Sequence, residues 1–553
     1  MPDCDALNDH ALNDDALNDD ALNESVCTEQ GYPSTNLPKH STNELIGLLR
    51  ADLQAAGFSV EALTGLWGEN ADSALHRGQR VPALRRLSRL PEPSRLSTLA
   101  TVFVLGTPVL ESHFASAVTQ LGIGGAISLG LVGIDDADET GERAIRPLLD
   151  LRPYSFADSN GVGSWWIVSD LGELSVGGAL RVDHVLGVGG ASLTLSGLMV
   201  TTPVDRALDL GTGCGIQALH ASRHAKQVIA TDISQRALEI AAMNAELNEV
   251  KNIELRLGSL FDPVRGERFG HIVSNPPFVI TPRTEGVPAY EYRDGGMVGD
   301  ALVAAVIAGV SDHLEPGGIA QLLGNWEYRG GESGLDRVGA WTDATGLDAW
   351  VVERERQDTE LYAETWIRDG GLRGGVEFDR LSSAWLDDFE SREVSAVGFG
   401  YLTLRARSPF SATDPVGTAT QIRRLERLDG PIGFGLGAHI EKTLAAIDSL
   451  ARLSDDELGR AHLTVAPDVT EERHYWPGAS DPTVITLHQG GGFGRSIALD
   501  TGLAALVGAC DAELSVRAII AAIAQLLEVD EAALSLDLLP RIRELTIDGM
   551  LLL

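Results

Sequence analysis

The chain has 553 residues, a hydrophobic content of 44% and 79 Asp and Glu against 43 Lys and Arg, which gives a formal net charge of −36. This length predicts about three or four domains, and the negative charge argues against broad, non-specific binding of nucleic acid. No apolar run reaches the roughly 18 residues that cross a bilayer, and the acidic N-terminus lacks the basic start of a signal peptide. We therefore expect a cytoplasmic protein without a membrane partner.

The cysteines predict neither a metal site nor a disulfide framework. Cys4, Cys27, Cys214 and Cys510 show none of the spacings of metal ligands. Thiols stay reduced in the cytoplasm. No metal is expected, and Cys214 is interpreted as a small side chain inside a turn rather than as a reactive thiol.

Residues 1–40 are predicted to be a disordered acidic tail. Residues 5–24 repeat a five-residue unit related to Asp-Ala-Leu-Asn-Asp, and a period of five matches neither a helix nor a strand. Residues 1–38 contain nine acids and neither Lys nor Arg. A segment of this composition buries too little apolar surface to fold. A tail that binds a partner is the alternative.

Residues 41–180 are predicted to form a helical or α+β domain for substrate recognition. A leucine stripe over residues 45–53 indicates an amphipathic helix. Strand signals follow at 146–151 and 164–169. Short helices that end in a strand pair are typical of a winged-helix-like fold.

Two arginine clusters stand out from the acidic background. Either cluster could follow a phosphate backbone. Solvated helix faces on which the arginines pair with local acids would have the same sequence pattern, so both interpretations stay open. The clusters are Arg77, Arg80, Arg85, Arg86, Arg89 and Arg95, and Arg423, Arg424 and Arg427.

A strand, a glycine-rich turn and a helix are predicted next. Residues 205–210 form a short apolar run that indicates a buried strand, and Ile216–Lys226 has a helical pattern. The turn Asp209-Leu-Gly-Thr-Gly-Cys-Gly215 has glycine at alternate positions, which permits positive φ and close approach of a ligand. The dinucleotide fingerprint is similar, but a pyrophosphate has little use for an acid at the strand end. Asp209 suits an α-ammonium group and favours S-adenosylmethionine over NAD.

The second strand, residues 227–232, ends in an acid. Asp232 follows Gly215 at about the spacing at which a carboxylate meets a ribose diol. A helix over Ser234–Asn248 is predicted to begin with Ser234 as its N-cap. Asp232 is therefore a candidate for binding the ribose of a nucleoside cofactor.

Two more strands are predicted to reach the same edge of the sheet. Residues 252–257 lead into Ser259 and Leu260, which are placed to border an adenine ring. Residues 271–274 lead into Asn275, at the carboxyl edge where open α/β folds bind ligands.

With these motifs and Asn275-Pro276-Pro277-Phe278 in this order, the chain resembles the class I S-adenosylmethionine-dependent methyltransferases. It is similar to the amino-methylating branch, which includes ribosomal RNA guanine methyltransferases of the small-domain type and protein-glutamine methyltransferases. The resemblance covers roughly residues 181–410 and extends to actinobacterial methyltransferases with flanking domains. It implies an α/β fold, a Rossmann-like seven-stranded domain flanked by smaller α+β domains.

The resemblance also implies roles for individual residues. It makes Asn275, Pro276, Pro277 and Phe278 the catalytic residues, and the loop Tyr292–Gly296 a wall of the substrate pocket. The implied cofactor-binding residues for S-adenosyl-L-methionine are Asp209, Gly211, Thr212, Gly213, Gly215, Asp232, Ile233, Ser259, Leu260 and Asn275.

The mechanism implied by these residues is positioning. A sulfonium is already a strong electrophile, so the protein mainly orients its reactants. The Asn275 side-chain oxygen and the Pro276 carbonyl can accept the two N–H bonds of a planar nitrogen. Phe278 offers a face on which a base or an amide can stack.

The sequence favours methylation of an exocyclic amine of a base in ribosomal or transfer RNA. The first alternative is a protein-glutamine methyltransferase acting on a translation factor, although that group usually carries Tyr where this chain has Phe278. The second is a non-catalytic scaffold that binds the cofactor, and the intact motif argues against it. The oligomeric state cannot be predicted.

Residues 411–553 are predicted to be a small α+β domain that follows a linker beginning at 411. Helical patterns lie near 439–453 and 513–527. The glycine run at 490–494 predicts a loop or hairpin, because it lacks the Lys of a phosphate-binding loop.

Overall fold

The computed structural model describes most of the chain beyond the predicted tail. The acidic tail, the linker that follows residue 410 and Tyr292 of the post-motif loop lie outside the described residues. Within the described ranges, no helix is both long and apolar enough to span a membrane. The described residues are 41–137, 141–176, 180–288, 290, 293–407, 421–430, 432–433 and 435–553.

Residues 42–147 form short helices and a small antiparallel sheet. The predicted leucine stripe is buried, with Leu49 and Leu53 in the core. The helices are α1 (Thr42–Ala56), α2 (Val60–Trp67), α3 (Glu69–His76), α4 (Val81–Leu87), α5 (Arg95–Leu99), α6 (Glu111–Ala117) and α7 (Gly122–Ser128), with a π-helical turn at Ala100–Val104. The strands are β1 (Val109–Leu110), β2 (Val132–Ile134) and β3 (Ala144–Pro147).

The second half of this region has the winged-helix-like arrangement that the sequence predicted. From α5 to β3 the order is helix, strand, helix, helix, strand, strand. The strands pair antiparallel in the order β1-β3-β2. Helices α6 and α7 therefore form a helix-turn-helix beside a three-stranded sheet.

A long hairpin leads from this region to the central sheet. Strands β4 (Leu149–Asp158) and β5 (Gly161–Asp170) pair antiparallel along their full lengths. Two helices follow, α8 (Glu173–Val176) and α9 (Gly190–Leu198).

The central sheet is predominantly parallel and has eight strands, in the order β13-β11-β12-β10-β9-β6-β7-β8. Strand β12 is antiparallel to both of its neighbours. The strands are β6 (Val204–Leu210), β7 (Ala225–Asp232), β8 (Ile253–Leu257), β9 (Phe269–Ser274), β10 (Leu314–Arg329), β11 (Asp348–Asp358), β12 (Val394–Arg405) and β13 (Arg423–Arg427). The helices are α10 (Ile216–Ala221), α11 (Gln235–Leu247), α12 (Ala301–His313), α13 (Gly334–Asp343), α14 (Thr359–Asp369) and α15 (Val376–Ser391).

Seven of these strands confirm the Rossmann-like fold, and two details differ from the expectation. Strand β13 adds an eighth strand, parallel to β11, from beyond the domain end expected at residue 410. Helix α10 ends at Ala221 rather than at Lys226. The residues after Ala221 form a turn, in which His224 N donates a hydrogen bond to the Ala221 carbonyl, and the His224 carbonyl accepts from Val204 N at the start of β6. Strand β7 then begins at Ala225.

The C-terminal region is α+β, as predicted. Its two small sheets have the strand orders β18-β14-β19 and β15-β16-β17. The helices are α16 (Leu436–Ala451), α17 (Asp455–Arg460), α18 (Thr501–Gly508), α19 (Val516–Leu527) and α20 (Glu531–Ile547). The strands are β14 (His462–Val465), β15 (Val469–His474), β16 (Val484–Gln489), β17 (Ser496–Leu499), β18 (Asp511–Ser515) and β19 (Leu551–Leu552).

Candidate active site

The sheet changes its winding direction between β6 and β9. From β6 the chain moves outward to β7 and β8, and then returns to the other side of β6 to form β9 and β10. Ligands of open α/β sheets bind at such a switch point, beyond the carboxyl ends of the strands. The glycine turn follows β6 and the Asn-Pro-Pro-Phe motif follows β9, so both motifs lie at this crevice.

The glycine turn has an open backbone on one side and close packing on the other. Gly211, Gly213 and Gly215 all have positive φ, at 76°, 53° and 86°. A Cβ at Gly211 or Gly213 would meet no atom within 4 Å, whereas one at Gly215 would lie 3.0 Å from Ala241 Cβ in α11. The first two glycines therefore leave room for a ligand against the backbone, and the third lets α11 pack closely.

Asp209 holds the turn with one oxygen and leaves the other without a partner. Asp209 is only 1% exposed, and its Oδ2 accepts a hydrogen bond from Thr212 Oγ1 at 2.6 Å. Its Oδ1 is buried without any hydrogen-bond partner. Burial, with a smaller repulsion from Asp232, raises the pKa of Asp209 to about 7. An unpartnered buried carboxylate oxygen is costly, and a cationic N–H donor at this position would remove that cost.

Asp232 connects the ends of three strands. Its carboxylate accepts from Gly213 N and from Ser234 N, each at 2.9 Å. Its main-chain carbonyl accepts from Gly258 N at 2.9 Å, which brings the β8 loop beside it. Ser234 also caps α11, as predicted. Burial raises the pKa of Asp232, and a carboxylate oxygen with one hydrogen bond can still accept another from a hydroxyl.

The remaining cofactor-binding candidates are Ile233 and the two residues expected to border an adenine ring, Ser259 and Leu260. Ile233 follows Asp232 and is 58% exposed. Ser259 is exposed, and Leu260 is half-buried with a φ of 48°. A left-handed leucine is strained, and such strain persists where the surroundings impose it, often at ligand sites.

Asn275 lies beside the glycine turn. Ser274 Oγ donates to the Leu210 carbonyl at 2.7 Å, which ties the ends of β9 and β6 together. Asn275 directly follows the end of β9, and Gly211 directly follows the end of β6. Asn275 Oδ1 is buried and has no hydrogen-bond partner. A second unsatisfied acceptor is thus placed at the same edge of the sheet as Asp209 Oδ1.

Phe278 lies where three parts of the core meet. Its ring is 5.4 Å from that of Phe399 on β12, and it is only half-buried. Phe278 forms an isolated antiparallel bridge with Asp294, and Val279 N donates to the Arg293 carbonyl at 2.9 Å. The described part of the post-motif loop is therefore joined directly to the motif.

Asp294 and Arg293 hold that loop from the inside. The Asp294 carboxylate accepts from Thr281 Oγ1 and from Tyr290 N. Arg293 donates to the Trp366 carbonyl at 2.8 Å and lies 3.2 Å from Asp369. Burial raises the pKa of Asp294. The loop is thus fastened both to the motif and to α14.

Two further polar residues of the site were missed from the sequence. Tyr362 OH accepts from Ile280 N at 3.1 Å and from Asn325 Nδ2 at 2.6 Å. Asn325 Oδ1 is buried without a partner. Strand β10 pairs Leu322 with Ser274 and continues past it, so Asn325 is level with the motif. The sequence contains little signal for Asn325, because strand β10 also carries Gln321 and Glu327 and a polar residue at 325 does not stand out.

Asn244, also missed, links the hairpin to the glycine turn. It is fully buried in α11, its Nδ2 donates to the carbonyls of Cys214 and Val168, and its Oδ1 accepts from Val168 N. Burial raises the pKa of the Cys214 thiol to about 11, in line with an unreactive role. The conformation of the turn therefore depends on strand β5.

The central part of the chain matches one characterised family model. Residues 188–330 match the methyltransferase small domain. Residues 55–144 and 441–553 match two domains of unknown function, DUF7059 and DUF7782.

Curated relatives also match part of the chain. A release factor glutamine methyltransferase of Xylella fastidiosa is 40% identical over 164 residues, covering 27% of this chain and 59% of the relative. A ribosomal protein uL3 glutamine methyltransferase of Bradyrhizobium diazoefficiens is 36% identical over 127 residues, covering 21% of this chain and 40% of the relative. The chain thus spans less than two thirds of the length of these relatives.

A solved structure matches more of the chain but weakly. The 16S rRNA N2 G1207 methyltransferase of T. thermophilus, in complex with AdoMet and guanosine, is 15% identical with a TM-score of 0.26. The match covers 55% of this chain and 66% of that one, and a score this low carries no argument about function. The family model and the curated relatives confirm the resemblance and support S-adenosylmethionine as the cofactor: residues 188–330 are similar to a methyltransferase small domain.

Proposed function

We propose that the chain is an S-adenosylmethionine-dependent N-methyltransferase whose acceptor is the side-chain carboxamide of a glutamine in a protein. The observation that carries the proposal is the buried, unpartnered Oδ1 of Asn275 at the switch point of the sheet. A primary amide brings two N–H donors, and one of them would satisfy this oxygen. The names of the curated relatives support a glutamine in a translation factor or ribosomal protein as the substrate.

The residues present fit the cofactor. Asp209 Oδ1 would accept from the α-ammonium group, the Asp232 carboxylate would accept from the ribose hydroxyls, and Ile233 would pack against the adenine. Gly211 and Gly213 leave the space that a bound nucleoside needs. When bound, the cofactor supplies an electrophilic methyl group on a sulfonium.

The chain's own contribution is the orientation of the acceptor nitrogen. Asn275 Oδ1 and the Pro276 carbonyl hold the two N–H bonds on one side, which turns the nitrogen lone pair toward the methyl group. The bound cofactor would supply the methyl group and keep the bonding electron pair on its sulfur, and the acceptor nitrogen would release one proton to solvent. Phe278, packed against Phe399, offers a flat surface for the amide plane.

A second candidate is the exocyclic amine of a base in RNA. Such an amine has the same two donors and the same flat environment, so Asn275 and Phe278 would serve it equally. The specific observation in its favour is a group of exposed, unpaired arginines in the N-terminal region, described below.

The test uses labelled S-adenosylmethionine and an extract of cells that lack the gene. Wild-type protein should label protein, with the label resistant to ribonuclease, lost to protease and found on glutamine by peptide mass spectrometry. Asn275→Ala should lower turnover by about 100-fold or more, as when one oriented polar group is lost, and should change the cofactor Kd much less.

Asn160→Ala is the matched control, because Asn160 is an exposed asparagine in the hairpin turn. It should behave as wild type. Label that is lost to ribonuclease instead would replace the glutamine proposal by the RNA one. Full turnover by Asn275→Ala would rule out both forms of the mechanism.

A further inference from the structure

Most arginines of the described residues form an ion pair with an acid, and one group in the N-terminal region does not. Arg77 lies at the C-cap of α3, Arg85 and Arg86 lie in α4, Arg89 follows α4, and Arg95 begins α5. All five side chains are exposed. Within the described residues, none of them has a carboxylate within ion-pair distance, although the chain as a whole carries a formal charge of −36. We call these five residues the arginine surface.

In the second arginine cluster of the sequence, by contrast, every arginine forms an ion pair with an acid. Arg423 pairs with Asp343 at 3.1 Å, Arg424 with Glu426 at 3.0 Å, and Arg427 with the buried Glu353. Those three arginines stabilise strand β13 at the edge of the central sheet. The expected pairing with acids is thus right for the second cluster, but these arginines lie on a strand and not on a helix face, and pairing does not explain the first cluster.

Arg80, the sixth arginine of the first cluster, has a structural role. Its Nη1 donates to the Leu105 carbonyl at 3.0 Å, at the end of the π-helical turn. It therefore anchors the start of α4 to the core and leaves the five exposed arginines on a fixed support. Ala83 is buried beneath them.

The winged-helix half offers no comparable set of cations. The exposed positions of α7, which include Gly124, Ile127 and Ser128, are uncharged. In strand β3 and just before it, Arg146 pairs with Asp135 and Arg143 with Glu111. A polyanion would therefore meet free guanidinium groups on α3 and α4 rather than on the second helix of the helix-turn-helix.

We propose that the arginine surface binds the phosphodiester backbone of a nucleic acid, independently of base sequence. Guanidinium groups match phosphate oxygens bidentately and are weakly hydrated, which makes arginine suited to this ligand. A membrane surface would need a continuous apolar face beside the charges; Ala83 and Leu84 of α4 turn toward the core, and Val81 and Leu90 are exposed as two separate side chains at the two ends of this segment. Acidic groups elsewhere on the protein would oppose binding of the nucleic acid away from these arginines.

This inference goes beyond the proposed function, because it assigns a binding surface and not a methyl acceptor. A glutamine substrate that is part of a ribonucleoprotein particle would be brought to the active site by the same contact. Nucleic-acid binding by the arginine surface does not require Asn275, so the two proposals can fail separately.

The test is fluorescence anisotropy of the full chain with labelled single-stranded RNA and duplex DNA at several salt concentrations. In Arg85→Gln/Arg86→Gln/Arg89→Gln, loss of three phosphate contacts should make the slope of log K against log salt less steep by about two. With an unchanged intercept at 1 M salt, this corresponds to about 100-fold weaker binding at 0.1 M salt. The tighter of the two probes identifies RNA or DNA as the source of the backbone.

A control with the same charge change is Arg265→Gln/Arg460→Gln/Arg473→Gln, since each of these exposed arginines already pairs with an acid. It should retain wild-type affinity. Circular dichroism and thermal unfolding check that both triple variants fold. Equal losses in the two triple variants, no binding by wild type, or equally tight binding of poly-glutamate or anionic vesicles would overturn the proposal.

Discussion

Asp209→Asn should stabilise the cofactor-free protein and abolish cofactor binding. Asp209 is almost completely buried, one of its oxygens has no partner, and burial raises its pKa to about 7. An asparagine has the same shape without the charge, and its oxygen can still accept from Thr212 Oγ1. The substitution therefore removes the cost of a buried charge and keeps the contact that shapes the turn.

The size of the gain follows from the shift in pKa. An unfolded aspartate has a pKa of about 3.9, so the folded protein holds this proton more tightly by about three units. Between pH 4 and pH 7 the folded state binds a proton that the unfolded state has lost, so the stability of wild type falls, relative to the variant, as pH rises. At about 1.4 kcal/mol per unit, the difference should be near zero at pH 4 and about 4 kcal/mol above pH 7.

The assay is urea unfolding of wild type and variant at pH 4, 6 and 8, with titration calorimetry for S-adenosylmethionine. Asp205→Asn is the control, because Asp205 is an exposed aspartate on the same strand. Wild-type cofactor affinity should weaken by about tenfold per pH unit below 7, since Asp209 must lose its proton to pair with an ammonium group. A variant that gains no stability at pH 8, or that still binds the cofactor as wild type does, would refute the reasoning.

Two more predictions concern the support of the glycine turn. Asn244→Ala should lower the free energy of unfolding in urea by about 3 kcal/mol and weaken cofactor binding. The substitution leaves Val168 N buried without an acceptor and removes the hydrogen bond to the Cys214 carbonyl. Unchanged stability would contradict this prediction. Gly215→Ala should cost about 2 kcal/mol and weaken cofactor binding, because its φ is 86° and the new Cβ would lie 3.0 Å from Ala241. The control Gly197→Ala should lose no stability in thermal unfolding, since Gly197 lies in helix α9 and nothing lies within 4 Å of a Cβ there.

Local patterns in the sequence were enough to predict the strands around the site and the residues that follow them. Strand β9 and the helix capped by Ser234 are confirmed. Hydrophobic period and cap chemistry depend on neighbouring residues only, so they can be read along the chain. The order of the parallel strands then places Asp209, Asp232 and Asn275 at one edge without further information.

Contacts between segments that are distant along the chain were not predicted. Strand β13 joined the central sheet from beyond the expected boundary, because its partner β11 lies far away along the chain. Asn244 and Tyr362 support the site through contacts with residues about 30 to 80 positions away. Nothing in the local pattern around either residue distinguishes such a contact from ordinary core packing.

By itself the sequence determined the fold class, the order of the motifs and the chemistry they can perform, because these depend on residue type and on short spacings. The tertiary structure decided which polar groups find partners. It left Asp209 Oδ1 and Asn275 Oδ1 unsatisfied, paired Arg423 and its neighbours with acids, and left the arginines around α4 free in the described part of the chain. Pairing requires two groups to meet in space at a few ångströms, and only the folded chain sets those distances.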